Sequence, residues 1–208
     1  MPRANADIAI AILAKAPVAG FAKTRLIPVL GAHAAAVLQE RLTERTVATA
    51  VAAGVGPVVL WAAPDATHAA FSELAARFPV TLARQPDGDL GARMLAAMAA
   101  AGGPALVIGS DCPALTAAHL QSAADALRDD ADIVTIPAED GGYVLIGARA
   151  PVAALFTTMP WSTPGVMGET RRRVAALGLR ARELGVLWDV DEPAELARLE
   201  REHPEFAL

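Results

Sequence analysis

Apolar positions along this chain follow two alternating patterns. Short continuous runs predict strands over Ile8–Ala14, Pro57–Ala62, Val80–Arg84, Ala105–Gly109, Ile133–Pro137 and Tyr143–Ala148, with a weaker seventh at Arg180–Leu184. Longer stretches with helical spacing separate them and predict helices over Ala32–Ala53, Ala66–Arg77, Leu90–Ala101, Ala117–Arg128, Val166–Leu177 and Ala194–Glu202. Strands that are apolar throughout suit burial on both faces. Their alternation with helices predicts βαβ units, hence an α/β/α sandwich around a mostly parallel sheet. Asp140-Gly-Gly142 joins two strand candidates with no helix between them, so a hairpin interrupts the alternation there.

The length of 208 residues fits one domain, spanning 1–208, with a substantial core. A net charge of −5 argues against nucleic acid or an anionic membrane as partner. Val47 to Ala63 is nearly free of charge, but Gly54, Gly56 and Pro57 divide it, which reads as a helix end followed by a buried strand. Arg3 and the Ile8–Leu13 run faintly imitate a secretory signal; Asp7 interrupts the approach, and a cytoplasmic protein is expected. The single cysteine, Cys112, excludes an internal disulfide and a multi-cysteine metal site, and packing is its expected role.

Charge placement is more telling than its total. The chain has only two lysines, Lys15 and Lys23, and both fall with Gly20, Thr24 and Arg25 in one loop after the first strand. A cationic, glycine-bearing loop there suits a phosphate-bearing ligand; the alternative is a surface loop with solvated cations. It is not a P-loop, because Ala22 precedes Lys23-Thr24 and Pro28 and Gly31 block the helix that should follow. Asp111 ends the Ala105–Gly109 strand, at the sheet edge where α/β folds bind ligands. A carboxylate there can share Mg²⁺ with substrate phosphates, or it can merely turn the chain before Pro113. Glu139 and Asp140, beside Gly141 and Gly142, form either a tight turn or part of an acceptor site. Asp189 and Asp191 precede Glu192-Pro193, and Asp191 taken alone reads as a helix N-cap. Asp87-Gly-Asp-Leu-Gly-Ala-Arg93 follows a strand and opens a helix, and it either contacts a nucleotide base or ribose or is a loop capped by Asp89. Trp161-Ser-Thr163 either borders an acceptor or caps a helix through Thr163 with Pro164 first in it. Arg171-Arg-Arg173 reads as a solvated helix face, and the four histidines show no metal-ligand spacing.

Taken in order, these motifs resemble a known group. Ala14-Lys-Ala-Pro-Val-Ala-Gly-Phe-Ala-Lys-Thr-Arg-Leu26, Gly88-Asp-Leu-Gly-Ala-Arg-Met94, Gly109-Ser-Asp-Cys-Pro113, Pro137-Ala-Glu-Asp-Gly-Gly-Tyr143, Pro160-Trp-Ser-Thr163 and Trp188-Asp-Val-Asp-Glu-Pro193 are similar to the radical-SAM/selenodomain-associated, or arsenosugar-biosynthesis-type, glycosyltransferases. Wider relatives are the GT-A-type nucleotide-diphospho-sugar transferases, including guanylyltransferases for 2-phospholactate and the molybdenum cofactor. The resemblance implies a nucleotide at the carboxyl edge of the sheet. Asp111 matches the acidic position that holds the divalent metal. Asp191 matches the second such position in sugar-nucleotide cytidylyltransferases, where an Asp-Thr-Pro-Glu-Asp-Leu run stands. Glu192 and Ala194 depart from that run.

The expected function is a Mg²⁺- (or Mn²⁺-) dependent transfer from a nucleotide substrate to a small-molecule acceptor. Glycosyl transfer from a nucleoside-diphosphate sugar comes first and nucleotidyl transfer from an NTP second. A P-loop-like kinase and a non-catalytic nucleotide-binding protein are the remaining alternatives. Expected catalytic residues are Lys23, Arg25, Asp111 and Asp140, and expected metal ligands are Asp111 and Asp191. Lys15, Gly20, Lys23, Thr24, Arg25, Gly88, Asp89, Gly91 and Ser110 would bind the nucleotide. Glu139, Gly141, Gly142, Trp161 and Ser162 would bind the acceptor.

Overall fold

Ile10, Ile12 and Ala14 alternate with Ala11 and Leu13 along the first strand, and apolar neighbours cover both sets. The computed structural model, which describes residues 7–206 and so leaves Arg3 outside, repeats this arrangement across one seven-stranded sheet. In chain order the strands are β1 (Ala9–Lys15), β2 (Val58–Ala63), β3 (Val80–Arg84), β4 (Ala105–Gly109), β5 (Ile133–Pro137), β6 (Tyr143–Ala148) and β7 (Ala181–Glu183). The helices are α1 (Ile27–Leu30), α2 (Ala32–Ala53), α3 (Ala69–Arg77), α4 (Leu90–Ala100), α5 (Ala117–Asp129), α6 (Val166–Ala176) and α7 (Pro193–Glu202).

The spatial order is β3-β2-β1-β4-β6-β5-β7. Only β6 runs against the others, because the expected hairpin returns it between β4 and β5. The turn depends on Gly141: its φ is +90°, and a Cβ there would lie 2.2 Å from the Pro164 carbonyl oxygen. On one face α2, α3 and α5 pack through Val47, Phe71, Leu74, Leu120 and Leu127. On the other, α4 and α6 pack through Met94, Met98 and Val174. No helix among the described residues is long and apolar enough to cross a membrane. The Val47–Ala63 stretch is the end of α2 followed by β2, as its glycines predict.

Three local expectations are corrected. Pro28 does not block a helix; it sits in the first turn of α1, which stops at Gly31 after four residues. Thr163 does not cap α6. Its hydroxyl bonds the Pro160 carbonyl, and Gly165 is the residue before the helix. Glu192, not Asp191, caps α7, in a reciprocal capping box with Glu195 and with Pro193 following it. Asp191 is thereby freed from the helix start.

A third, smaller core decides where the chemistry goes. Leu26 from the loop after β1, Leu38 and Leu42 from α2, Trp188 and Val190 from the segment after β7, and Leu199 from α7 form one cluster with Phe206. It fastens the cationic loop to the last acidic segment, although they lie at opposite ends of the sequence.

Candidate active site

The parallel strands end on one edge, and the segments leaving them build the site. The segment after β7 follows β5, pairing Leu187 with Pro137 and Glu139. It then crosses to β4, where the Val190 amide donates to the Asp111 carbonyl at 2.9 Å. Asp189 and Asp191 are thus carried to the end of β4. Arg45 of α2 holds the same turn by donating to the Pro113 carbonyl at 3.0 Å.

Lys23 lies at the centre. Its backbone is left-handed, with φ +47°, a strained conformation for a non-glycine residue. Its side chain is 2% exposed, so it is not the solvated cation of the alternative reading. The ammonium sits 2.6 Å from Asp111 Oδ1 and 3.0 Å from Asp191 Oδ1, and it donates to the Val190 carbonyl at 2.6 Å. The contact with Asp111 is an ion pair on a buried carboxylate oxygen, Oδ1. Burial by itself pushes the Lys23 pKa down, but Asp111 and Asp191 together outweigh it and hold it above the usual lysine value. Burial, reinforced by Asp140, Asp191 and Asp111, pushes the Asp189 carboxyl up to about 6. Asp111, Asp140, Asp189 and Asp191, from three segments, therefore share one locality, and two of them, Asp111 and Asp191, hold the Lys23 ammonium.

The flanking groups separate by what they touch. Arg25 is exposed on the rim, 3.2 Å from Glu192 Oε1. Lys15, at the end of β1, is exposed and has no ion-pair partner among the described residues, and Gly20 and Thr24 are exposed beside it. Asp140 is exposed, and its Oδ1 accepts from the Gly142 amide at 2.8 Å. Glu139 is bound by Arg198 of α7 at 2.9–3.0 Å, and the Arg198 guanidinium stacks 4.3 Å from the Trp188 ring centre.

Several of the residues expected to bind the nucleotide or the acceptor also make structural contacts. Ser110 is buried and accepts from Gln39 Nε2 at 3.0 Å, so it pegs β4 to α2 beneath the site. Asp89 caps α4 by accepting from the Ala92 amide at 2.8 Å. Gly91 is buried where a Cβ would lie 2.7 Å from Trp161 Cζ2 and 2.9 Å from the Phe156 carbonyl oxygen. Gly88 is exposed, and its carbonyl accepts from Arg93. Trp161 packs over the start of α4, and its Nε1 is buried without a hydrogen-bond partner. Ser162 is exposed in a left-handed conformation, φ +61°. The Cys112 thiol is buried and pushed up to about 12 by desolvation, consistent with packing.

Sequence reading missed two buried glutamines. Gln85, just after β3, donates to the Ala14 and Trp61 carbonyls at 3.1 and 2.8 Å, and its Oε1 accepts from Arg93. It clamps β1 to β2 at the site edge. Gln39 lies with Thr43 and Thr46 on the buried face of α2. Polar residues inside an apolar helical stripe were the available signal.

The arrangement suits a divalent cation. Asp111 and Asp191 offer hard oxygen donors to one point, and the point already draws a cation, the Lys23 ammonium. Among the described residues no group of three or more Asp, Glu, His or Cys side chains is arranged to hold a metal ion.

The mostly parallel seven-stranded sheet flanked by helices matches the GT-A-type fold of the nucleotide-diphospho-sugar transferases. The chain is similar, at 25% identity, TM-score 0.82 and 97% coverage of this chain and 96% of the other, to a protein assigned as a nucleotide-diphospho-sugar transferase in Desulfovibrio desulfuricans G20. A nucleotidyl transferase from Methanothermobacter shares the fold at 18% identity and TM-score 0.65, over 97% of this chain and all of that one. The Mycobacterium tuberculosis glucosyl-3-phosphoglycerate synthase, solved with Mn²⁺, UDP and glucosyl-3-phosphoglycerate, shares it at 15% identity and TM-score 0.55, over 96% and 77%. No curated protein matches the sequence. The protein belongs to the family described as "Uncharacterized protein conserved in bacteria (DUF2064)", whose model matches residues 46–163.

Proposed function

We propose that residues 1–208 are one transferase domain that moves a glycosyl group from a nucleoside-diphosphate sugar to a small neutral acceptor, using Mg²⁺ or Mn²⁺. The observation that carries this is the meeting of Lys23, Asp111 and Asp191 at the carboxyl edge, with Asp140 and Asp189 beside them and Lys15 and Arg25 on the rim. Lys15, Arg25 and Lys23 supply positive charge for the diphosphate as it departs. Asp111 and Asp191 would hold the divalent ion, which offsets negative charge on the leaving group when bound. Asp140 keeps Oδ2 outside its own turn and can take the proton of an attacking hydroxyl. The acceptor oxygen then bonds the anomeric carbon, and the bond to phosphate breaks with its electron pair leaving on the nucleotide.

The acceptor side supports a neutral partner. Glu139, Asp140 and Asp189 make it acidic, and Arg198 is already committed to Glu139. A phosphorylated acceptor would meet repulsion there. The resemblance to arsenosugar-biosynthesis-type enzymes and the bound UDP and Mn²⁺ of the mycobacterial synthase support a sugar-nucleotide donor with a divalent metal, although that synthase itself carries a phosphorylated acceptor group, glucosyl-3-phosphoglycerate. Nucleotidyl transfer is the second reading. It is favoured by Lys15, exposed and without an ion-pair partner among the described residues, as a further cation besides Arg25 for a triphosphate, and by the full-length match to the Methanothermobacter enzyme. Thermal unfolding with nucleotide sugars and NTPs, each with and without Mg²⁺, separates them by mass action. Stabilisation by a nucleotide sugar with metal, lost in Asp111→Asn, is expected. Stabilisation by NTPs alone selects the second reading, and no response to either class overturns both.

A further inference from the structure

Lys23 stands where a bound cation would. Its ammonium is held by oxygens of Asp111, Asp191 and the Val190 carbonyl at 2.6–3.0 Å, within a side chain that is 2% exposed. A Mg²⁺ ion bound through the same two oxygens, Asp111 Oδ1 and Asp191 Oδ1, at ligand distances of about 2.0–2.1 Å would sit in the space the ammonium fills, so ammonium and ion compete for those oxygens. We infer that Lys23 is a tethered counter-ion that must leave Asp111 Oδ1 and Asp191 Oδ1 before a divalent cation can take that pair of oxygens, so that the free protein binds the ion weakly. The loop carrying it suits such an exchange. Lys23 is in a strained left-handed conformation, Gly20 has φ +87°, and Phe21 at the loop tip is 79% exposed and so not packed down. Lys15 and Arg25 flank the loop, so an ammonium released from the carboxylates joins two cations facing solvent. An incoming phosphate would accept that ammonium while completing the ion's shell. This last point rests on the nucleotide reading of the site; the competition between ammonium and ion does not.

The test uses the full chain without nucleotide. Mn²⁺ titration followed by the electron paramagnetic resonance of the free ion should show weak binding to wild type and binding tighter by about tenfold or more to Lys23→Met, because the ion no longer displaces a charge-assisted contact. Lys23→Arg should stay weak, and Asp111→Asn added to Lys23→Met should remove the gain. Equal or weaker Mn²⁺ binding in Lys23→Met overturns the inference. If Lys23→Met does not fold, wild type still decides. With only two lysines in the chain, ¹³Cε-labelled lysine gives two signals, assigned with Lys15→Arg. At Mg²⁺ concentrations that raise the unfolding midpoint, the Lys23 signal should move and the Lys15 signal should not. An unmoved Lys23 signal, or no Mg²⁺ effect on the midpoint at all, overturns the inference. Nucleotide stabilisation measured alongside keeps the two ideas apart. Tighter Mn²⁺ binding with no nucleotide response removes the transferase reading alone, and the reverse removes the counter-ion alone.

Discussion

The satellite core makes a prediction in which a purely apolar change disables a polar site. Leu26 is fully buried and is the loop's main apolar anchor against Leu38, Leu42, Trp188, Val190 and Leu199. It lies three residues after Lys23, and its amide donates to the Lys23 carbonyl at 2.9 Å. Leu26→Ala removes the side chain that presses the loop onto the Val190–Asp191 segment. The cluster is small and lies at one end of the molecule, so it can partly collapse, and a cost of about 2–3 kcal/mol is expected, low in the range for buried Leu→Ala. At about 2–4 °C per kcal/mol for a chain of this size, the unfolding midpoint should fall by roughly 4–12 °C. Leu127→Ala is the control. Leu127 is 3% exposed in the main core on α5, away from the loop, and its truncation should cost about as much or more. The discriminating quantity is the further midpoint rise produced by saturating nucleotide and Mg²⁺. It should shrink in Leu26→Ala, where Lys23 and Asp191 are no longer held together, and persist in Leu127→Ala. An undiminished nucleotide shift in Leu26→Ala, with the expected loss of stability, would refute the idea that this core positions the site.

Gly141→Ala puts a Cβ against the Pro164 backbone at a φ of +90°, which should cost roughly 2–6 kcal/mol; an unchanged thermal midpoint would show that the hairpin relaxes freely. Cys112, with its thiol pushed up to about 12, should be almost wholly protonated at pH 8 and react with a disulfide reagent only on unfolding, so stoichiometric labelling of the native protein would contradict its burial. Arg25→Ala breaks an exposed pair with Glu192 and should alter stability by less than about 1 kcal/mol while weakening nucleotide binding in calorimetry; wild-type affinity would remove Arg25 from the site.

The central strands were readable because both their faces are covered, which leaves uninterrupted apolar runs such as Ile133–Pro137. The outermost strand, β7, is exposed at Ala181, Arg182 and Glu183, carries no such run, and is shorter than its pattern predicts. Helix starts failed where two residues competed for one cap. Asp191 has the better N-cap side chain, but Glu192 takes the position because Pro193 and Glu195 complete a capping box around it, a choice that local preference for Asp does not anticipate. The site was legible as residue types and not as contacts. Nothing in the local sequence distinguishes Lys23 from Lys15: both stand in a stretch that reads as one cationic loop, yet Lys15 closes β1 and is exposed while Lys23 is nearly enclosed. What separates them is Leu26, which belongs to a core whose other members lie on α2, on α7 and around Trp188. The ion pair from Lys23 to Asp191 spans 168 positions, and only that packing brings its ends together. The enclosure also reverses the meaning of the charge. In a solvated loop Lys23 would wait for phosphate; buried between two carboxylates it already has partners, and any ligand that uses it must first offer those carboxylates another cation.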